Sequence, residues 1–236
     1  MPLLALDACW QAVSVALEWS DEAGASQFVE SYEELATGHA ERIVPMIAEV
    51  AQRAGVAVRA IDRIAVTLGP GSFTGVRTGI AAARALALAT GAPVLGATSL
   101  AVIAERARVV LAETSAEPMP RVLCVAVDAR RGEVYAQSFA QSGAAPLSDA
   151  ILAPAEQIAA SLPDAPSVVV GSGMGPIVAE ARRLGKPARG ALPQLQPRAS
   201  ILISLASRLR VADPPMPLYI RPPDAKLPTI GALPKG

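Results

Sequence analysis

The chain has 236 residues, of which 52% are hydrophobic and 18% charged, with 21 Lys and Arg balancing 21 Asp and Glu. Nothing in that balance suggests a protein that grips nucleic acid unaided through phosphate contacts, and the length admits one large domain or two small ones, each with a core. Cys9 and Cys124 are the only cysteines, too few for a disulfide framework or a metal knuckle, and suit a reducing compartment.

The first segments, "LLALDA" and "AVSVALEW", read as two short strands with a turn around Cys9 to Gln11, and "SQFVESYEE" as a third. Connections this short predict an antiparallel meander. Asp7 interrupts the first apolar run, so no signal peptide is expected. No run reaches the roughly 18 uninterrupted apolar residues of a membrane span, and a soluble cytoplasmic protein is expected. "GHAERIVPMIAEVAQRAG" places Ile43, Met46, Ile47, Val50 and Ala54 at helical spacing and closes on Gly55. Pro45 is compatible with that helix if it falls in the first turn.

"IDRIAVTLG" is a buried strand that runs into "TLGPGSFTGVRTG", Thr67 to Gly79, and an alanine-rich helix ending at Gly91. The strand "PVLGATS" and helix "LAVIAERARVVLAE" complete a unit of about a hundred residues, a usual domain size. Residues 115–120, "SAEPMP", read as a linker. "RVLCVAVDARRGEVYAQSFA" then repeats the opening theme of strand, aspartate, polar turn and strand; "DAPSVVVGSGMG" is a strand into a glycine loop, followed by the helix "PIVAEARRLG". "RASILISLASRLR" is an amphipathic helix, and the proline-rich remainder lacks a pattern for regular structure, with the last ten or so residues expected to be disordered. Two halves that each open on a hairpin carrying an aspartate suggest an internal duplication of the ribonuclease-H-like, actin-like ATPase type: α/β, two domains, mixed sheets flanked by helices.

The glycine loop fails both standard phosphate-binding patterns. Gly75-Val76-Arg77-Thr78 has one residue too many for a P-loop and arginine in place of lysine; Gly69, Gly71 and Gly75 carry an extra residue in the second gap of a dinucleotide fingerprint. The remaining reading is a shaped corner, in which Gly69 and Gly71 supply unusual backbone angles around Pro70 while Ser72 or Thr74 caps the following helix.

In order and approximate spacing, "HAERIVP", "LGPGSFTGVRTG", "DARRGEVYA", "VGSGMG" and "PLYIR" resemble the bacterial family called TsaB or YeaZ, from Leu4 to about Arg221. The resemblance implies the actin-like ATPase fold, with an N-terminal domain at residues 1–105, a second subdomain at 106–197, a helix at 198–212 packing back, and a tail at 213–236. It implies an accessory role in forming N6-threonylcarbamoyladenosine beside the anticodon of tRNAs reading ANN codons, as partner of the transferase TsaD, joined by the small ATPase TsaE. It further implies a homodimer when TsaD is absent, and tRNA contact only through the complex.

Transferase relatives carry two histidines four residues apart, and Ser99 and Ile103 stand at the matching positions, neither a good metal ligand. His39, the only histidine, is expected to cap a helix or lie on the surface. The resemblance implies a partner interface on the two helices after the meander, assigned to Ile43, Ile47, Val76, Arg77, Ile80 and Arg84. A weak nucleotide site, possibly shared with the partner, is assigned to Asp7, Asp128, Arg130, Gly171 and Gly173; Ala8, Cys9 and Trp10 remove hydroxyl donors and add bulk there. Hence no cofactor is expected on this chain alone, and ATP or ADP only in the complex. An independent actin-like ATPase, a glycopeptidase-like enzyme and a general interaction module are the competing readings.

Overall fold

The computed structural model describes residues 1–115, 118, 120–141 and 145–220. The first half begins with β1 (Leu3–Asp7), β2 (Ala12–Ser20) and β3 (Ser26–Glu34), an antiparallel meander as the short turns require. After α1 (His39–Ala54), β4 (Arg63–Thr67) returns parallel to β1; after α2 (Phe73–Thr90), β5 (Val94–Ala97) lies parallel to β4. The strand order is therefore β3-β2-β1-β4-β5, with β11 (Arg210–Val211) added antiparallel on the β5 edge.

The second half repeats the first. Beyond α3 (Ser99–Thr114), the strands β6 (Val122–Asp128), β7 (Glu133–Ala140) and β8 (Ile151–Pro154) form a second antiparallel meander. Helix α4 (Ala155–Ser161), β9 (Ser167–Val170), α5 (Met174–Arg183) and β10 (Ala188–Ala191) follow, giving β8-β7-β6-β9-β10. The same strand order with the same two antiparallel and two parallel pairings is the duplicated ribonuclease-H-like, actin-like architecture.

Side-chain alternation sets the layers. Leu4 and Leu6 of β1 point toward α1 and α2, into a core with Met46, Val50, Val76 and Ile80, whereas Leu3 and Ala5 point to the other face and meet α6 (Ala199–Leu205). Helix α3 covers one face of the second sheet through Leu100, Ile103 and Ala107, and α4 and α5 cover the other through Ile158, Ile177 and Ala181. Helix α6 packs on β1 and β2. It is tied to β3 where Glu30 accepts from the Ser200 amide at 3.0 Å and pairs with Arg198 at 3.2 Å.

Several expectations change. A domain boundary at 105/106 falls inside α3, a continuous helix whose N-cap is Thr98 and whose body is buried against the second sheet. Pro45 is the seventh residue of α1, beyond the first turn; both it and Glu41, whose carbonyl loses its amide partner, face solvent, where water can satisfy that oxygen. The short elements β8, α4, β10 and β11 were not anticipated, and the expected disorder of the last residues lies outside the described residues.

The glycine loop is shaped by close approach. The Ser72 amide donates to the Cys9 carbonyl at 2.7 Å, a Cβ at Gly71 would stand 2.5 Å from that oxygen, and one at Gly75 would overlap the Ala8 carbonyl oxygen. Gly69 adopts φ 103°, a left-handed conformation that side chains resist. Ser72, the N-cap, accepts from the Gly75 amide at 3.0 Å. Gly75→Ala is expected to cost about 3 kcal/mol through overpacking, while Gly175→Ala, with open space around it in α5, is expected to be neutral or stabilising by about 0.5 kcal/mol; chemical denaturation of the two variants checks the contrast.

Candidate functional site

In an actin-like fold the elements that could cradle phosphate are the two hairpin turns and the second glycine loop. The first turn, between β1 and β2, is closed by its own chain. Ala8 and Cys9 are buried, and the Trp10 ring packs against Tyr135 of β7 at 5.8 Å with a 56° tilt. His39 donates from Nε2 to the Trp10 carbonyl at 2.7 Å, and the Gln11 amide donates to Gln196 Oε1 at 3.1 Å. His39 is therefore neither a cap nor a surface residue. It is buried at the start of α1, and its ring holds the hairpin.

Asp7 lies beneath that turn, fully buried. Thr67 donates to its Oδ1 at 2.5 Å and Oδ2 has no partner. Burial pushes the carboxyl up to about 6, and it pushes the neighbouring Cys9 thiol well above its ordinary range. Cys124 is likewise raised by burial, to about 11. Both thiols are inert core groups, as expected of a buried cysteine.

The second turn is more open. Asp128 and Arg130 are exposed, and the Arg130 amide donates to Asp128 Oδ1 at 2.8 Å. Arg130 and Arg131 both take positive φ, 62° and 58°, so the turn is held left-handed by residues other than glycine. Ser172 Oγ accepts from the Asp128 amide at 3.1 Å. A Cβ on Gly171 would overlap the Ala126 carbonyl oxygen and one on Gly173 would stand 2.6 Å from Val134 Cγ1, so these glycines let the loop close on β6 and β7. The structure thus brings Asp128, Arg130, Gly171 and Gly173 together and separates Asp7 from them by burial. Among the described residues, no group of three or more His, Cys, Asp and Glu side chains could hold a metal ion. Ser99 donates to the Pro70 carbonyl at 2.5 Å and Ile103 lies in the core, so both positions that would carry histidines in transferase relatives face inward.

The expected interface residues divide. Ile43, Ile47, Val76 and Ile80 are between 2% and 5% exposed and belong to the core of this chain. They cannot offer side chains to a partner, because α1 and α2 turn these positions toward the sheet. The outward stripe is Val44 and Ala48 on α1 with Ala81, Ala85 and Leu88 on α2; Leu88 is 91% exposed. Arg77 and Arg84 are on the surface but engaged with the segment after β11: Arg77 Nε donates to Tyr219 Oη at 2.8 Å, and Arg84 donates to the Pro215 carbonyl at 2.6 and 3.1 Å.

The buried carboxylate makes a pH prediction. The native state binds more protons than the unfolded chain between the ordinary value of 3.8 and about 6, so its stability falls as pH rises through that window and stays at the lower level above it. Asp7→Asn removes that dependence and is expected to gain on wild type by about 2–3 kcal/mol between pH 4 and pH 7; urea denaturation across that range checks it, and parallel profiles would count against a buried charge.

Comparison with known proteins gives the family. Residues 29–173 match a family model described as TsaD, tRNA N6-adenosine threonylcarbamoyltransferase. The chain is similar to the tRNA threonylcarbamoyladenosine biosynthesis protein TsaB of Escherichia coli K12, with 39% identity over 135 residues, 57% of this chain and 53% of that protein. That match, and the one to the TsaB of Haemophilus influenzae, span about half the length of those relatives. A protein of Mycobacterium tuberculosis H37Rv described only as uncharacterised is 33% identical over 196 residues, 81% of this chain and 79% of its own. The solved structure of YeaZ from Pseudomonas aeruginosa superposes with a TM-score of 0.75 at 32% identity, covering 92% of this chain and 99% of that one. On duplicated fold, motif order and full-length structural likeness, the chain belongs to the TsaB (YeaZ) family.

Proposed function

We propose that this chain is an accessory, non-catalytic subunit in the formation of N6-threonylcarbamoyladenosine in tRNA, working through a TsaD-type transferase. The observation that carries the reading is an uncovered apolar stripe on α1 and α2 in a chain whose first phosphate turn is filled by its own side chains. Ala81 and Ala85 leave room for a helix to approach closely, and Val44 and Leu88 supply apolar contact. The names of the TsaB relatives and of the TsaD family model support the pathway. The inward-facing Ser99 and Ile103 support an accessory role over a metal-dependent one.

In this reading TsaE joins the pair, tRNA meets the chain only within the complex, and the same stripe makes a homodimer when the transferase is absent. ATP or ADP belongs to the complex, with Asp128, Arg130, Gly171 and Gly173 as the part of this chain open to it; Asp7 would contribute only through the hairpin above it. No described helix is long and apolar enough to cross a membrane, and a tRNA-modifying role supports reading the protein as cytoplasmic.

The purified chain is expected to transfer no threonylcarbamoyl group, and addition of TsaD and TsaE with the adenylate donor is expected to restore modification of an ANN-reading tRNA; transfer by this chain alone would sink the proposal. Leu88→Asp is expected to weaken pairing with TsaD at least tenfold with unchanged thermal stability, whereas Ile80→Glu buries an unpaired charge and is expected to cost about 3–5 kcal/mol of stability. Co-purification and thermal melts separate the two.

A further inference from the structure

One face of the first sheet is covered by three elements side by side. In the order β11-β5-β4-β1-β2-β3, α1 lies over β2 and β3, and α2 lies mainly over β4. The chain leaving β11 starts beyond β5, where the Ala212 amide donates to the Val94 carbonyl at 2.8 Å. From there residues 213–220 run along the flank of α2 opposite to α1. Arg84 holds the Pro215 carbonyl and reaches Met216 Sδ at 3.2 Å, and the Leu218 amide donates to the Leu68 carbonyl at 2.7 Å. Tyr219 stacks on Phe73 at 6.0 Å and 21°, with the Arg77 guanidinium 3.8 Å from the Phe73 ring centroid. The helical wheel agrees: Phe73, Arg77 and Arg84 lie on one edge of the outward face, leaving Ala81, Ala85 and Leu88 in its middle.

We propose that residues 213–220 are a fixed third ridge of the docking surface, with α1 as the opposite ridge and the alanine-rich α2 as the floor between them. This rests on the reading that the α1 and α2 stripe meets the transferase subunit, and it adds the strap to that contact. Six of the thirteen large hydrophobic residues exposed among the described residues lie in this layer: Val44, Phe73, Leu88, Met216, Leu218 and Tyr219. The only charged side chains of α2 are Arg77 and Arg84, and both are spent on the strap. The middle of the surface offered is therefore apolar, with both guanidinium groups held at its edge by the strap. It suits the apolar face of a protein helix. The occupant is accordingly the helical face of the transferase subunit, in continuity with the α2 stripe.

The test is the affinity of the full chain for purified TsaD, measured by titration calorimetry with a thermal melt of each variant. Met216→Ala and Tyr219→Ala are expected to weaken binding about tenfold with little change in melting temperature, Tyr219→Phe to retain most of the affinity, and Leu88→Asp to weaken it at least tenfold. Unchanged affinity in both strap variants, with Leu88→Asp still disruptive, would overturn the third ridge and leave the α2 contact standing. Tighter binding in the strap variants would also overturn it, making the strap a competing cover. Unchanged affinity in all of them, Leu88→Asp included, would remove the α2 contact and the ridge together.

Discussion

The structure depends on the approach of the α2 N-terminus to the carbonyls of Ala8 and Cys9. At Gly71 and Gly75 the loop lies so near the first hairpin that a single methyl group would collide with its backbone. That contact fixes where β4 ends, where α2 begins and which way α2 runs over the sheet. The second half uses the same device, with Gly171 and Gly173 closing on Ala126 and Val134. The glycines in both halves thus act first on their own chain, bringing a loop against a hairpin. Their resemblance to phosphate loops follows from a shared need for missing side chains.

The first hairpin is then sealed from several sides. Trp10 spends its ring on Tyr135 and its carbonyl on His39, and Gln11 is bound by Gln196 from the far end of the chain. Arg106 reinforces the same crossing, donating to the Gln196 carbonyl at 2.5 Å. The cost of this sealing sits on Asp7, a carboxylate with an orphaned oxygen in the core. A chain that binds phosphate at this turn needs its amides and small hydroxyls free. Here the hydroxyls are absent, the Gln11 amide is bound to Gln196, and the Trp10 ring packs on the second half.

Much of the fold was legible because two patterns recur. Alternating apolar runs joined by short turns gave the first meander and the β6–β7 hairpin of the second, and the 3.6-residue spacing of Ile43, Met46, Ile47 and Val50 gave α1. That same spacing already points these residues inward, so their assignment to a partner surface conflicted with the pattern that defined the helix. Helix α2 was harder because alanine fills both of its faces, and only burial separates Val76 and Ile80 from Ala81 and Leu88. The role of His39 was illegible, since its partner is a backbone carbonyl 29 residues earlier. So was that of Arg77, whose partner Tyr219 lies 142 residues later. Sequence periodicity sees one element at a time, and these contacts arise only when the C-terminal segment folds back on the first half.

That return path links stability to recognition. Helix α6 fills the inner face of the first sheet with Leu202 and Leu205, so the chain must emerge at the β5 edge, and β11 fixes it there. From that edge the shortest route onward lies beside α2, where Arg84 and Arg77 receive it. The two arginines are the only charges on α2. By taking up both, the strap fixes them along one edge of the apolar surface that its own side chains extend. The segment that completes the first domain is in this way the one that decides what kind of molecule its outer face can meet.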